Sequence, residues 1–270
     1  MTIRPTHGRR VVGLALTAMV MAGCASLPED PIEQEIFLET NDPLEPMNRA
    51  VFALNLQIDK YALEPLAKGY RAVTPEFGRE MVSNFFHNLK SPVTFVNDLL
   101  QFELQRAYET AARFLINSTV GLGGLFDIAP IEAHDEDLGQ TFASWGAKEG
   151  VYIILPILGP TNFRDLTGMV GDRLFDPFSY MGNTNQAQNV FYGRTVMEGL
   201  NDRSQNIEMF DDLEQNSFDL YATFRSLYRQ QREFEVRNGA SEPFEAFDFN
   251  DPGSDGGGGG GLQIMIPGPR

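Results

Sequence analysis

The chain has 270 residues, of which 42% are hydrophobic and 21% charged, so it is long enough and apolar enough to bury a sizeable core. The formal net charge is −16 and the only basic cluster lies in the first ten residues, which excludes a nucleic-acid groove lined by Lys and Arg. One cysteine and three histidines exclude an intramolecular disulfide and a Cys-based zinc site, and the sequence predicts neither a metal centre nor a cofactor.

The first 23 residues are typical of an export signal. Three arginines and no acidic residue precede Val11–Ala22, an apolar run that is shorter than the ~20 residues needed to span a membrane as a helix. The run leads into Met21-Ala22-Gly23-Cys24, which resembles a bacterial lipobox, in which the cysteine is acylated and becomes the new N-terminus. Removal of residues 1–23 would leave a mature charge of −19, so the acyl chains rather than electrostatic attraction must hold the protein on a membrane.

The residue after the acylated cysteine indicates the membrane. In bacterial lipoproteins, Asp at that position usually retains the protein at the inner membrane, whereas Ala25 stands there in this chain. We therefore expect Cys24 to be the site of lipid attachment, at the periplasmic face of the outer membrane of a Gram-negative bacterium.

Composition divides the mature chain into three parts. Residues 24–41 are predicted to form a short acidic tether, and residues 239–270 to form a disordered acidic tail with six consecutive glycines. Residues 42–238 contain no long linker and no internal repeat, which favours a single, mainly helical domain.

Helical spacing begins at the start of this domain. Apolar residues recur at intervals of four and three at Met47, Val51, Leu54, Ile58 and Tyr61. This pattern predicts an amphipathic helix, which we expect to be broken at Pro65.

Three further helices are predicted along the chain. The first spans Glu76–Leu89 and ends before Ser91-Pro92, and the second is long, from Val93 to Val120, with the following glycines as its terminator. The third runs from about Asn216 to Phe234. Between the last two, Val151–Leu158 is an apolar run interrupted by a proline, which predicts an edge strand or an extended apolar loop.

A search for catalytic motifs gives one weak candidate. There is no Gly-x-Ser-x-Gly elbow, and Cys24 would be consumed by acylation. His134, next to Asp135, Glu136 and Asp137, could act as a base, although a solvated acidic loop explains the same residues. The sequence therefore predicts a protein that is not an enzyme.

Four sequence blocks, in order behind the lipobox, resemble the VacJ family, the outer-membrane lipoproteins of the Mla (maintenance of lipid asymmetry) system. They lie at residues 41–49 (NDPLEPMNR), 113–127, 137–141 and 155–165. The signature residues of the first two blocks are Asp42, Pro43, Asn48, Arg49, Gly121, Gly123 and Gly124.

This resemblance implies a fold and a function. Family members are similar to a helical ring with amphipathic helices that lie in the membrane interface and a central channel. They remove phospholipids that have strayed into the outer leaflet and pass them to a soluble periplasmic lipid-binding carrier. The implied partners are therefore phospholipids, a trimeric outer-membrane porin and that carrier.

The resemblance also suggests where the channel lining lies, in the region from Trp145 to Asp165. The candidates are Gly146, Gly150, Leu155, Leu158, Gly159, Arg164 and Asp165. Arg164 could bind a lipid phosphate, or it could form an ion pair with Asp165. The chain departs from the usual glycine-rich run after Gly146, since Ala147-Lys148-Glu149 intervenes before Gly150.

Two alternatives of other classes remain open at this stage. A structural envelope lipoprotein would use the acidic surface and tail to bind partners, and a periplasmic envelope hydrolase would use His134 and the neighbouring acids.

Overall fold

The computed structural model describes residues 42–180 and 184–239, and most of these residues are helical, which confirms the mainly helical fold class. The helices are α1 Glu45–Ile58, α2 Glu64–Val73, α3 Glu76–Leu100, α4 Leu104–Thr119, α5 Leu138–Ser144, α6 Phe163–Asp172, α7 Thr184–Gln205, α8 Ile207–Asn216 and α9 Leu220–Val236. Strands β1 (Tyr152–Leu155) and β2 (Gly159–Asn162) separate α5 from α6. None of the described helices has the length and apolar character needed to cross a membrane.

Several predicted segments lie outside the described residues. They are the signal peptide at 1–23, Cys24 with its tether to residue 41, and the tail from 239 to 270 except for Gly239.

The prediction that Pro65 breaks the first helix is wrong. A π-helical turn at Asp59–Leu63 connects α1 directly to α2, and Pro65 occupies the first turn of α2. The preceding turn is π-helical, with the Glu64 amide donating to the Asp59 carbonyl five residues earlier, and this wider turn accommodates a proline that cannot donate a hydrogen bond of its own.

The predicted boundary at Ser91-Pro92 is also wrong, and so is the single helix from Val93 to Val120. Helix α3 continues through Pro92 to Leu100, and the break comes instead at Phe102, whose φ of 63° lies in the left-handed region. The Glu103 amide closes this turn by donating to the Asp98 carbonyl at 2.9 Å. The apolar spacing on both sides hid the break, since Phe102 is neither a glycine nor an asparagine.

The apolar run at 151–158 forms the first half of an antiparallel hairpin, which confirms the predicted edge strand. Tyr152 pairs with Asn162 and Leu155 pairs with Gly159. Helix α1 packs along β1, and α9 packs on β2 and on α5. The hairpin supplies two of the three buried residues of the small apolar core, which consists of Tyr152, Ile154 and Tyr221 with Val51, Phe52 and Tyr228 packed around them.

Side-chain caps fix where three of the helices begin. Asp137 accepts from the Gln140 amide before α5, and Asn162 accepts from the Asp165 amide before α6. Asp219 accepts from the Ala222 amide, which places the start of α9 a few residues after the predicted one. The other main contacts pair α3 with α4 and with α7, α2 with α7, and α5 with α6.

Candidate functional site

Two neighbouring helices turn polar side chains toward the interior. On α3 the buried side chains are Asn88, Ser91, Thr94, Asn97 and Asp98, and on α4 they are Ala107, Thr110, Arg113 and Asn117. These groups bond one another, since Thr110 donates to Asp98 at 2.6 Å and Thr141 donates to Asn97 at 2.8 Å. A buried polar interior is stable only when it is hydrogen-bonded in this way.

Several of the described helices expose apolar side chains on their outer faces, whereas α8 and α9 expose mainly polar ones. On α4, Leu104, Tyr108 and Leu115 share one face and are 68%, 68% and 61% exposed. Other exposed apolar side chains include Val73, Phe102, Ile157, Leu174 and Phe218. Polar side chains inside and apolar side chains outside reverse the pattern of a water-soluble protein, and an exposed apolar surface of this kind marks a contact with a membrane or another protein.

Three adjoining cavities run through the polar interior. The first chamber, between α3, α4 and α7, has a volume of about 260 Å³ and includes Asn88, Lys90 and Arg113 in its lining. The second chamber, of about 390 Å³, shares Lys90, Asp135 and Glu198 with the first. The third, of about 340 Å³, shares Asp137, Met169, Asp172 and Glu235 with the second. We call these three neighbouring cavities the chamber series; charged side chains line all three, beside apolar surface in the second and third.

Lys90 stands at the junction of the first two chambers. Its ammonium lies 3.2 Å from the Glu198 carboxylate. Burial alone would lower the pKa of Lys90, but the Asp135 and Glu198 carboxylates outweigh it, so the pKa is raised and the group stays charged. Arg194 lies 3.6 Å from the same Glu198 carboxylate, which places two cations at this junction.

Arg232 lines the third chamber, next to Asp137 and Glu235, which that chamber shares with the second. Its guanidinium lies 2.7 Å from the Asp137 carboxylate and 2.8 Å from the Asp165 carboxylate, so that α9 is tied to the first turns of both α5 and α6. Beside it, burial raises the pKa of Asp172 to about 6, although Asn97 and the Leu138 amide donate to its carboxylate. A carboxyl group with this pKa changes its charge within the range of envelope pH values.

The first signature block holds the start of the domain together. Asn48 is fully buried, donates to Asp42 at 2.8 Å and to the Tyr152 carbonyl at 3.0 Å, and accepts from the Ile154 amide at 2.9 Å. Asp42, which is also buried, accepts from the Tyr221 hydroxyl and from Arg225. These bonds join α1, β1 and α9 at one point.

The other signature residues also have structural contacts. Arg49 forms an ion pair with Asp219 at 2.7 Å and lies over the Tyr221 ring, while Pro43 belongs to the turn before α1.

The glycine block ends α4 in a tight turn. Gly123 and Gly124 have φ values of 77° and 91°. A Cβ at Gly124 would lie 2.4 Å from the Asn88 Cβ, and one at Gly121 would lie 2.3 Å from the Phe126 carbonyl oxygen. Glycine at these positions therefore lets the turn pass close to the wall of the first chamber.

The channel candidates from the sequence lie mostly away from the chamber series. Asp165 lines the third chamber, and Gly159 lines a separate apolar cleft between α1, the hairpin and α7. Gly146, Gly150, Leu155, Leu158 and Arg164 line none of these four cavities. Arg164 donates to Asp165 at 2.8 Å, which is the ion-pair alternative.

Sequence reasoning missed the lining residues that the structure places in the chambers. Lys90, Arg113, Asp172, Arg194 and Arg232 are scattered over five helices, so no short motif contains them. The available signal was the recurrence of polar residues at intervals of three along α3, which marks a polar face as clearly as apolar spacing marks an apolar one.

His134 lies in a loop, as predicted, and Asp135 beside it is exposed, but the His134 side chain itself is mostly buried, so the prediction of a solvated loop is wrong at this residue. Its Nε2 is 3.1 Å from the Asp98 carboxylate and 3.1 Å from the Thr110 hydroxyl, and the adjoining Glu136 is buried. A catalytic base uses one ring nitrogen for its orienting carboxylate and the other for the nucleophile, whereas both contacts here meet the same nitrogen. Within residues 42–180 and 184–239, no three His, Cys, Asp or Glu side chains are grouped as metal ligands.

Comparisons with known proteins match this chain over most of its length. It is 36% identical over 203 residues to an uncharacterized protein of Rickettsia bellii, covering 74% of this chain and 78% of the relative. It is 34% identical to the intermembrane phospholipid transport system lipoprotein MlaA of Haemophilus influenzae, covering 86% and 92%, and 29% identical to the protein of the same name from Escherichia coli, covering 87% and 92%.

A solved structure and a family model also match most of this chain. The structure, reported as a structural basis for maintenance of bacterial outer membrane lipid asymmetry, superposes with a TM-score of 0.64 at 32% identity and covers 72% of this chain and 98% of its own. The family model described as MlaA lipoprotein matches residues 40–235, which include all four motif blocks and every helix described above except the last residue of α9. The named relatives are lipoproteins of an intermembrane phospholipid transport system. This chain therefore belongs to the MlaA lipoprotein family, as its four sequence blocks predict.

Proposed function

We propose that this protein removes mislocalised phospholipids from the outer leaflet of the outer membrane and passes them to a soluble periplasmic lipid-binding carrier. The observation that carries the proposal is the reversed polarity of the molecule, in which a polar chamber series lies inside an apolar exterior. A phospholipid head group would lose its hydration in an acyl-chain environment, and a polar route through the protein replaces the lost hydrogen bonds.

The exterior accounts for the proposed location. The exposed apolar side chains of α4 and of the other outer faces would lie among acyl chains of the periplasmic leaflet, with the acylated Cys24 as a second anchor. Because the described helices do not span a membrane, access to the outer leaflet requires a partner, and we propose a trimeric porin for that role.

The chamber linings account for head-group passage. Lys90 and Arg194 at the first junction and Arg232 at the second supply cations for a phosphate, and the carboxylates around them keep any single cation from binding it too tightly. Translocation makes and breaks no covalent bond, so we propose a transporter rather than an enzyme.

The test is a deletion strain that carries this gene or its variants. Thr195 lines the second chamber, whereas its neighbour Val196 is 64% exposed on the outer face of the same helix. Thr195→Trp should fill the chamber, and Val196→Trp should add the same volume outside it. The amount of outer-leaflet phosphatidylethanolamine is measured with an amine-reactive reagent that does not cross the membrane.

We expect this amount to rise on deletion and to return to normal with the wild type and with Val196→Trp, but not with Thr195→Trp or Cys24→Ala. An unchanged amount on deletion would refute the transport proposal. Full complementation by Thr195→Trp would refute the chamber series as the route. Full complementation by Cys24→Ala would refute the need for the acyl anchor.

A further inference from the structure

An apolar cleft separate from the chamber series lies between α1, the hairpin, α7 and α8. Its volume is about 290 Å³, and its apolar lining includes Phe52, Leu56, Ile58, Ile154, Phe210 and Phe224. It adjoins the first chamber at Asp202, which lines both cavities. A cleft of this composition takes ligands that are mostly hydrocarbon.

Arg203 lines this cleft, and one of its guanidinium nitrogens has no hydrogen-bond acceptor among the described residues. Arg203 is only 6% exposed and lies 4.4 Å from the centre of the Phe210 ring. Its Nε and Nη2 donate to the two carboxylate oxygens of Asp59 at 2.9 and 3.0 Å. Its Nη1 is buried and has no acceptor among the described residues. A buried guanidinium N–H without an acceptor is costly, and a ligand oxygen would remove that cost.

We propose that this cleft binds a single acyl chain whose carbonyl or carboxylate oxygen accepts a hydrogen bond from Arg203 Nη1. Since Asp59 already balances the charge of Arg203, the ligand oxygen need not be anionic. The inference goes beyond the proposed function, because it assigns a ligand to a cavity outside the chamber series.

The size of the cleft limits the ligand to one chain. Its volume of about 290 Å³ is roughly twice the ~150 Å³ of a cavity that accepts benzene, which is room for about a dozen carbon atoms. Two acyl chains of a phospholipid do not fit side by side. The chain could come from a free fatty acid, or it could be one tail of a phospholipid.

Two glycines of α7 provide a matched pair of variants. Gly199 lines the cleft and Gly193 does not, and a Cβ at either position meets nothing within 4 Å. Gly199→Phe should fill the cleft without disturbing its walls. Gly193→Phe is the control, because it changes the helix propensity and adds the same side chain about one and a half turns earlier, outside the cleft.

The experiment uses the full acylated chain in detergent with two photoactivatable probes. One is a dodecanoic acid analogue with a diazirine at the chain end, and the other is a phosphatidylethanolamine with the same group on one tail. After irradiation, labelled peptides are mapped by mass spectrometry. We expect labelling of the cleft walls in α1, β1 or α7, lowered at least about tenfold by Gly199→Phe and unchanged by Gly193→Phe.

The pattern of labelling decides the source of the chain. Labelling by the fatty acid identifies a free single chain, and labelling by the phospholipid probe alone identifies one tail of a diacyl lipid. No labelling of the cleft by either probe, or equal labelling of Gly199→Phe and the wild type, would overturn the proposal. Neither result bears on the transport test, which depends on the second chamber.

The hydrogen bond has a separate test. Arg203→Lys keeps a cation beside Asp59 but loses the forked guanidinium that serves two acceptors at once. We expect labelling by the fatty acid probe to fall about tenfold, because a hydrogen bond to a charged group is lost. Labelling equal to that of the wild type would show that Arg203 takes no part in binding.

Discussion

Asn48 shows how one side chain can join three elements. Its side-chain amide donates to a carbonyl of β1 and accepts from a backbone amide of the same strand. It also donates to Asp42, which accepts from Tyr221 and Arg225 of α9. The sequence marks this residue only as part of a motif that resembles a family signature. Its role could not be read from the motif, because its partner in β1 is more than a hundred residues away.

Replacement of Asn48 tests this role. Asn48→Ala leaves the Ile154 amide and the Tyr152 carbonyl buried without their side-chain partner, so we expect the free energy of unfolding to fall by about 3 kcal/mol. Asn55→Ala is the control, since Asn55 bonds the backbone of the same hairpin but is only half-buried. Both are measured by denaturant unfolding in one detergent, and an equal loss for the two variants would contradict the argument.

The raised pKa of Asp172 should make the free energy of unfolding depend on pH. Burial raises its pKa in the folded protein to about 6, well above the value near 4 of the unfolded chain, so the folded state binds the proton more tightly. Its contribution to stability is therefore fully present below about pH 4 and is lost as the pH rises through about 6. We expect this loss to be about 2 kcal/mol, less than the full shift because some solvent reaches the carboxyl group.

The measurement for Asp172 is the free energy of unfolding at pH 4 and at pH 7. Asp172→Asn keeps an acceptor oxygen for Asn97 and for the Leu138 amide but has no proton to lose, so its stability should change less between these two values. A carbon-13 titration of the Asp172 carboxyl gives the midpoint directly. A midpoint near pH 4 would refute the raised pKa.

At the scale of elements, apolar spacing predicts helices in the regions of α1, α3, α4 and α9 but misses the other five described helices, and it gives no information about their orientation. The stripe of the first helix was predicted from Leu54 and Tyr61 among others, and both side chains are exposed, at 50% and 75%. Periodicity reports that a helix has an apolar face and does not report what covers that face. In this chain the predicted stripe is divided, since Val51 packs against the core whereas Leu54 and Tyr61 are exposed.

Helix boundaries were the second weakness of the sequence analysis. Pro65 and Pro92 both lie inside or at the start of helices, and the actual break at Phe102 follows no glycine or proline. The hairpin is predicted only in part, since the apolar run indicates a first strand or an extended loop, whereas Gly159-Pro160 begins β2, which the sequence does not predict.

The C-terminal helix α9 is joined to the starts of α5 and α6 by the ion pairs of Arg232. Arg232→Met removes the ion pairs with Asp137 and Asp165 and leaves the mostly buried Asp165 carboxylate with fewer partners. We expect a loss of about 3 kcal/mol and faster amide hydrogen exchange in α5 and α6. Arg237→Met removes an exposed pair with Glu233 within the same helix and should cost less than about 1 kcal/mol. Similar exchange rates in the two variants would contradict this role of α9.

At the scale of the whole molecule, the apolar exterior should decide membrane binding independently of the acyl anchor. Leu104 and Leu115 lie on the outer face of α4, so the double change to Glu places two charges where acyl chains are expected. We expect binding of the Cys24→Ala protein to phospholipid vesicles to fall at least about tenfold with these changes, since each buried leucine contributes about 2 kcal/mol.

A control for this experiment lies on the same helix. Gln105 is exposed beside the apolar face, and Gln105→Glu combined with Cys24→Ala adds a charge without removing apolar surface. Binding is measured by flotation with the vesicles, and the emission of Trp145, which is half-exposed and the single tryptophan of the chain, reports entry into the acyl region. Equal flotation of the leucine variant and the control would show that α4 does not face lipid.

The reversed polarity of the interior also has a consequence for how the chain reaches its fold. In water the main force for folding is the removal of apolar surface from solvent, which also gives unfolding its large heat capacity change. A native state that keeps Leu104, Tyr108 and Leu115 exposed gains little from that force, and collapse in water would favour a different packing with these residues inside. On the proposed function, the sequence specifies its structure for a solvent of acyl chains, and we expect the chain to need protection from collapse while it is in the aqueous phase.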